Sequence, residues 1–479
     1  MRLCPLAGGA ELKYTLRASP AKLEMLAEGG SVEFCIDEPE IMRVRANGVG
    51  LRVFSRMGMM DTVCARADGS MELLIGGAGG KLLFFPIEGS VRFNQWWRMF
   101  DWASDDVTAD FHPGEDGKLE IAIHEYIAGG QPLERYRPFD DCVGEAGDDY
   151  LRWRGLYGGP TGDEALFDAA AYLTWIGRLK PRKCSTTSKL RGNMIYGSRR
   201  GSDLVSVFEQ TFHALAFDGA DAKLELLKNT LRLADVNGAL PAYTTDAQSQ
   251  FGYSTAPAYV VALGETDGTE LVAALEKNAE WWLRWRDRDG VGVPAYAYPK
   301  EAGIDCGAGV GVGDAGPTPD LLSYLFLLFS ALAEATGDPK WAKAGDGVLK
   351  TLLGELDGRG GFTVSGASAR GTEFASGLLS HIPLILGDSL PSEVTERLAR
   401  QIDEGDFWKS EKDLPAVALL VYGLLASHRR ETAERVCEWY ISHVQSNGFV
   451  NNVGDEFAST WAASAYLYIV SALGRGGNA

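Results

Sequence analysis

The chain has 479 residues, 46% hydrophobic and 23% charged, the balance of a soluble globular protein, and its length exceeds what one compact core holds, so two domains are expected. A formal net charge of -19 excludes binders of phosphate backbones and anionic membranes, which need a basic face. Neutral or cationic small ligands stay open, and 12 Trp, 17 Tyr and 20 Phe suit stacking on sugars, although core filling accounts for most of those rings.

From residue 1 to about 150, short apolar segments such as VEFCIDEP, IMRVRANGVGLRVF and KLEIAIHEYIAG alternate between NG, DG and GG turn signals. Strands at that spacing predict a β-sandwich over 1–150. Within it, RFNQWWRMFDWASDD at 92 to 106 reads either as a wall lent to a neighbouring site or, more simply, as a buried strand packed on the next domain. Residues 131 to 165 are polar and Gly-rich and read as the connection, with 151–184 as linker and first helix region.

From Asp163 onward the period changes from 2 to 3.6, and twelve helical segments follow with Gly-containing loops between them. Segments such as DLLSYLFLLFSALA and LPAVALLVYGLLAS are apolar nearly all round, whereas SEVTERLARQI and RETAERVCEWYISHV carry one charged face. An inner ring buried on both sides and an outer ring facing water produce that split. The pattern therefore predicts six helical hairpins closed into an (α/α)6 toroid over 185–479, with long loops at one mouth.

The longest break in periodicity follows AEWWLRW. Trp281 and Trp285 stand four apart and are expected to share a helix face, with Trp282 looking elsewhere. After Asp287 no apolar period returns for about thirty residues, too long for a connector, and this loop carries Asp305. Seven scattered Cys form no CxxC pair and six His no i, i+4 pair, so no metal site is readable; no phosphate-binding loop appears, and no cofactor is expected. The free-thiol pattern, the start MRLCPLAGGAELKYTL without a signal-like apolar run, and the absence of 18 consecutive apolar residues read as a reduced, cytoplasmic protein that does not span a membrane.

Several motifs in the helical half resemble the inverting (α/α)6-barrel glycosidases with an N-terminal β-sandwich, above all glycoside hydrolase family 63, with trehalases and debranching-type glucosidases as relatives. GNMIYGSRRGSDLVSVF (192 to 208) is similar to the segment that opens that barrel and holds sugar hydroxyls, and NGALPAY (237 to 243) to the loop after it. WWLRWRDRDGVGV with AGID (302 to 305) resembles the segment ending in the family's general-acid aspartate, and GDEFASTWAASAYL (454 to 467) the one bearing its general-base glutamate. The run Cys306, Gly307, Ala308 departs from the family's usual residues after the acid. The resemblance implies an exo-acting inverting glycoside hydrolase on an α-glucoside or related small saccharide. A phosphorylase or polysaccharide lyase on the same fold, and a non-catalytic carbohydrate-binding scaffold, are the alternatives.

Hydrolysis with inversion needs one protonated and one ionised carboxyl roughly 6.5 to 9.5 Å apart. Asp305, among the apolar and aromatic residues of AYAYPKEAGID, is the expected acid, because desolvation raises a carboxyl pKa; Glu456, in the polar turn NNVGDEF, is the expected base, with Asp455 its substitute. Each has a plainer reading, Asp305 as a turn residue and Glu456 as a helix cap. Arg199, Arg200 and Asp203 are candidates for sugar contact, against solvated arginines and a cap on SDLVSVF. Tyr196, Tyr253, Trp285, Tyr296 and Trp461 are candidates for stacking, against core filling. The substrate is a small molecule or oligosaccharide; nucleic acid and membrane are not partners.

Overall fold

The computed structural model describes residues 1–38, 40–76, 80–98, 102–127, 131–159, 163–179, 192–195, 205–244, 250–251, 268–287, 290–297, 317–354, 382–404, 407–410, 414–443 and 459–474. The chain divides into two compact units, the first Met1–Arg152 and the second beginning at Trp153.

The first unit is two antiparallel sheets. One has eight strands, in spatial order Tyr14–Ala18, Leu23–Ala27, Gly30–Glu38, Ile41–Asn47, Lys118–Ile127, Gly80–Glu88, Met71–Ile75 and Thr62–Ala65. The other has five: Ser90–Phe93, Val107–His112, Gly50–Ser55, Arg2–Ala7 and Ala10–Glu11. Alternation places Val107, Ala109 and Phe111 inward, and they meet Val44, Ala46, Phe84 and Ile121 of the facing sheet in one core. The Glu28-Gly29 turn is short because Gly29 takes φ +84, a region that other residues rarely occupy.

Residues 131 to 165 are not a bare connection. Helix α1 spans Phe139–Gly155. Its apolar positions Phe139, Cys142, Val143, Ala146 and Tyr150 recur at helical spacing, and Phe139 and Cys142 pack on Cys35 of the large sheet. The fully buried Arg43 fastens the same end, donating to the Arg137 carbonyl and to Glu120, with its guanidinium 5.6 Å from the Tyr136 ring. The polar, Gly-bearing face that made the stretch read as a linker is the solvent side.

The second unit is helical. Its helices are α2 (Glu164–Ile176), α3 (Val207–Ala216), α4 (Ala220–Leu231), α5 (Val272–Trp285), α6 (Pro319–Thr336), α7 (Pro339–Gly354), α8 (Ile382–Leu386), α9 (Ser392–Glu404), α10 (Leu414–Ala426), α11 (Arg430–His443) and α12 (Thr460–Gly474). The expected helix TAPAYVVALGE lies outside the described residues. The two helix classes separate as the sequence pattern predicts. All of α3 and every residue of α10 from Leu414 to Leu424 are buried, whereas α11 buries one stripe, Thr432, Ala433, Val436, Cys437 and Tyr440. The helices pack in an arc, α3 on α12, α12 on α10, α10 on α8, α8 on α6, while α4, α9 and α7 each lie against one of them and α11 against two, α10 and α12. The last helix of the unit therefore packs on its first enclosed one. Among the described residues no helix is long and apolar enough to cross a membrane.

Candidate functional site

Three of the ten candidate residues are described. Trp461 is 3% exposed and presents its indole edge-on to Phe212 at 5.5 Å, so it fills the core where α3, α10 and α12 meet. Tyr296 is also buried, edge-on to Trp282. Trp285 is 54% exposed under the Arg284 guanidinium. Trp281 and Trp285 do not share a buried face: Trp281 and Trp282 are the buried pair, because the inward stripe of α5 is Leu275, Asn278, Ala279 and Trp282, with Trp281 flanking it and Trp285 past its end. Tyr196, Arg199, Arg200, Asp203, Tyr253, Asp305 and Glu456, with Asp455, lie outside the described residues.

The frame those segments hang from is well defined. Phe208 is the second residue of α3, Ala416 the third of α10 and Trp461 the second of α12, and they share one apolar cluster with Phe212 and Leu419. Three enclosed helices thus gather their N-terminal ends. Phe208 against Trp461 and His213 against Ser464 make α3 and α12 run parallel.

Both helix ends are capped by serine. Ser206 Oγ accepts from the Glu209 N–H at 3.2 Å, and Ser459 Oγ from the Ala462 N–H at 3.0 Å. These serines stand three residues after Asp203 and Glu456, which lie outside the described residues.

Polar side chains inside apolar helices tie the motif segments together. Gln210 holds Ile195 by both backbone groups, accepting from its N–H at 2.9 Å and donating to its carbonyl at 2.5 Å, which anchors the residue before Tyr196. Val205–Ser206 pairs with Tyr243–Thr244, joining the segment 192–208 to the loop 237–243. Asn278 of α5 donates to the Gly238 carbonyl at 2.7 Å. His213 meets Ser464 Oγ at 2.5 Å, and complete burial pushes its pKa down to about 3, leaving the imidazole neutral. Beyond α5, the Asp287 carboxylate accepts from the Val291 and Gly292 N–H groups and folds the chain back toward Trp282. Sequence reading passed over Gln210, His213 and Asn278, although a polar residue in the middle of an otherwise apolar stripe is the signal that marks each.

Gly238 sits at φ +95, and a Cβ there would stand 2.4 Å from the Lys277 carbonyl oxygen. Gly238→Ala is expected to lower stability by about 2 kcal/mol and to displace the loop 237–243, read as a fall in Tm together with a fall in activity. An unchanged Tm would show that the loop and α5 part easily.

Among the described residues no three His, Cys, Asp or Glu side chains gather as a metal-binding group. Cys35 and Cys437 are free thiols whose pKa values burial pushes up to about 12.

No protein-family model matches the sequence, and no curated protein matches it. Solved structures do match its fold. A bacterial glucoamylase complexed with acarbose aligns with a TM-score of 0.58 at 10% identity, over 96% of this chain and 85% of that one. The GH92 family inverting mannosidase of Bacteroides thetaiotaomicron aligns with a TM-score of 0.54 at 11% identity, over 98% and 75%. The fold is therefore glycosidase-like, a β-sandwich followed by a helical toroid, and it is shared along nearly the whole chain.

Proposed function

We propose that the protein is an exo-acting inverting glycoside hydrolase of the family 63 kind, with a six-hairpin barrel, cleaving an α-glucoside or related small saccharide. Asp305 is the general acid and Glu456 the general base. The observation that carries this reading is the convergence of the N-terminal ends of α3, α10 and α12. Asp203 precedes α3 and Glu456 precedes α12 by four residues each in the sequence, so both belong to segments that lead into that end. The whole-chain likeness to a glucoamylase fold supports the same reading.

In this mechanism Asp305 donates its proton to the departing oxygen. Glu456 takes a proton from water on the opposite face of the ring, and that water attacks the anomeric carbon. Arg199, Arg200 and Asp203 hold hydroxyls, and the exposed Trp285 offers a stacking face. Proton NMR of the first product on a panel of nitrophenyl glycosides is the test: the product anomer is opposite to the substrate linkage. Retention overturns the mechanism, and saccharide binding without turnover across the panel favours a binding scaffold.

A further inference from the structure

Among its described residues the aromatic stretch at 92 to 106 is not a strand buried in the β-sandwich core, since Trp96, Trp97 and Trp102 are exposed. Trp97–Arg98 pairs with Ala103–Ser104 as a short ribbon, and hydrogen bonds lock that ribbon to the loop at 57 to 62. The Ser104 N–H donates to the Asp61 carbonyl at 2.8 Å, the Ser104 Oγ accepts from the Val63 N–H at 2.9 Å, and Arg98 donates to the Met57 carbonyl at 2.6 Å. Asp61 fixes its own loop by accepting from the Gly58 and Gly76 N–H groups. This frame holds five large apolar side chains out in water: Met59 at 74% exposure, Met60 at 58%, Trp96 at 71%, Trp97 at 59% and Trp102 at 77%.

Two of the five do so from left-handed backbone, Met60 at φ 67 and Trp102 at φ 52. That conformation costs a non-glycine residue roughly 1–3 kcal/mol. A hydrogen-bonded frame that keeps strained backbone and bare indoles together marks a surface with an occupant. The chemistry of the surface selects it. Indole faces pack the CH side of a pyranose while the ring hydroxyls still reach water. Asp61, Asp105 and Asp106 stand in the same two loops on a chain of net charge -19, which repels phosphate, sulfate and uronate polymers.

We propose that Met60, Trp96, Trp97 and Trp102 form a platform on the β-sandwich unit that binds neutral polysaccharide. The ligand class rests on the carbohydrate reading given above, whereas the platform itself needs no bond cleavage. The test is native affinity electrophoresis of the full chain in gels cast with soluble starch, yeast mannan, xyloglucan or, as a polyanion control, polygalacturonate. At least one neutral polymer retards the wild type. The triple variant Trp96→Ala, Trp97→Ala, Trp102→Ala loses at least 10-fold in that affinity and keeps wild-type turnover of nitrophenyl glycosides. No retardation by any neutral polymer, equal retardation of both proteins, or retardation by polygalacturonate alone overturns the platform. So does gel filtration showing an oligomer that the triple variant splits into monomers, since the indoles would then cover a second copy. Retardation without turnover of any glycoside removes the hydrolase reading and leaves the platform standing.

Discussion

If the proposed roles hold, Asp305→Asn and Glu456→Gln are each expected to lower kcat by roughly 10²- to 10⁴-fold, the worth of one positioned acid or base, and to fail in distinguishable ways. Removing the acid matters most when the leaving group needs a proton. A glycosyl fluoride departs with little help, so Asp305→Asn recovers most of its rate on that substrate. Removing the base leaves water unactivated whatever the leaving group, and Glu456→Gln is not rescued. The wild type is expected to show a bell-shaped pH profile whose alkaline limb reports loss of the acid's proton, and that limb is expected to vanish from the Asp305 variant on the fluoride. Rates near wild type in both variants, or a reversed rescue pattern, refute the assignment. Both proteins are expected to retain the wild-type Tm, since Ser459 supplies a side-chain cap to α12. A large fall in Tm in Glu456→Gln would return that residue to a structural role.

The fold was legible where burial is uniform along an element. LPAVALLVYGLLAS has no polar face, and a helix with no polar face must be enclosed; α10 is buried from Leu414 to Leu424. The β-sandwich was legible for the complementary reason, since the β-rich run IMRVRAN ends at an NG turn signal and its alternate residues Val44 and Ala46 are buried in the core. α1 was misread because Gly144, Gly147 and four aspartates drew attention from the stripe Phe139, Cys142, Val143, Ala146, Tyr150. At 92 to 106, aromatic density alone could not say whether indoles face a core or water; the hydrogen bonds to the loop at 57 to 62 decide that, and they join residues some forty apart. The site was legible as motifs and illegible as a constellation. That the segment before α3 and the one before α12 share an end depends on Phe208 meeting Trp461, and on His213 meeting Ser464 across 251 residues. No local pattern encodes such a pairing.

That last pair yields the second large effect. His213 is fully buried between α3 and α12, and burial is what pushes its pKa down to about 3, against 6.5 for the ordinary group. Between those two values the unfolded chain binds a proton that the folded chain refuses, so folding stability falls as pH falls through the window and is undiminished above about 6.5. From pH 7.5 to pH 4 the cost is roughly 3 kcal/mol. The carboxylates of an acidic chain also shed stability in this range, so the wild-type curve alone does not isolate the histidine. His213→Asn does: the asparagine amide stands where Nδ1 stands and can still reach Ser464 Oγ but does not titrate. Urea unfolding followed at pH 7.5, 6, 5 and 4 is expected to show the two proteins losing stability at different rates, the wild type faster by roughly 3 kcal/mol over the whole span. The divergence begins near pH 6.5, where the unfolded imidazole takes up its proton. Parallel curves would mean that the imidazole charges inside the fold at no cost, and that the contact closing α12 onto α3 is wetter than its burial shows.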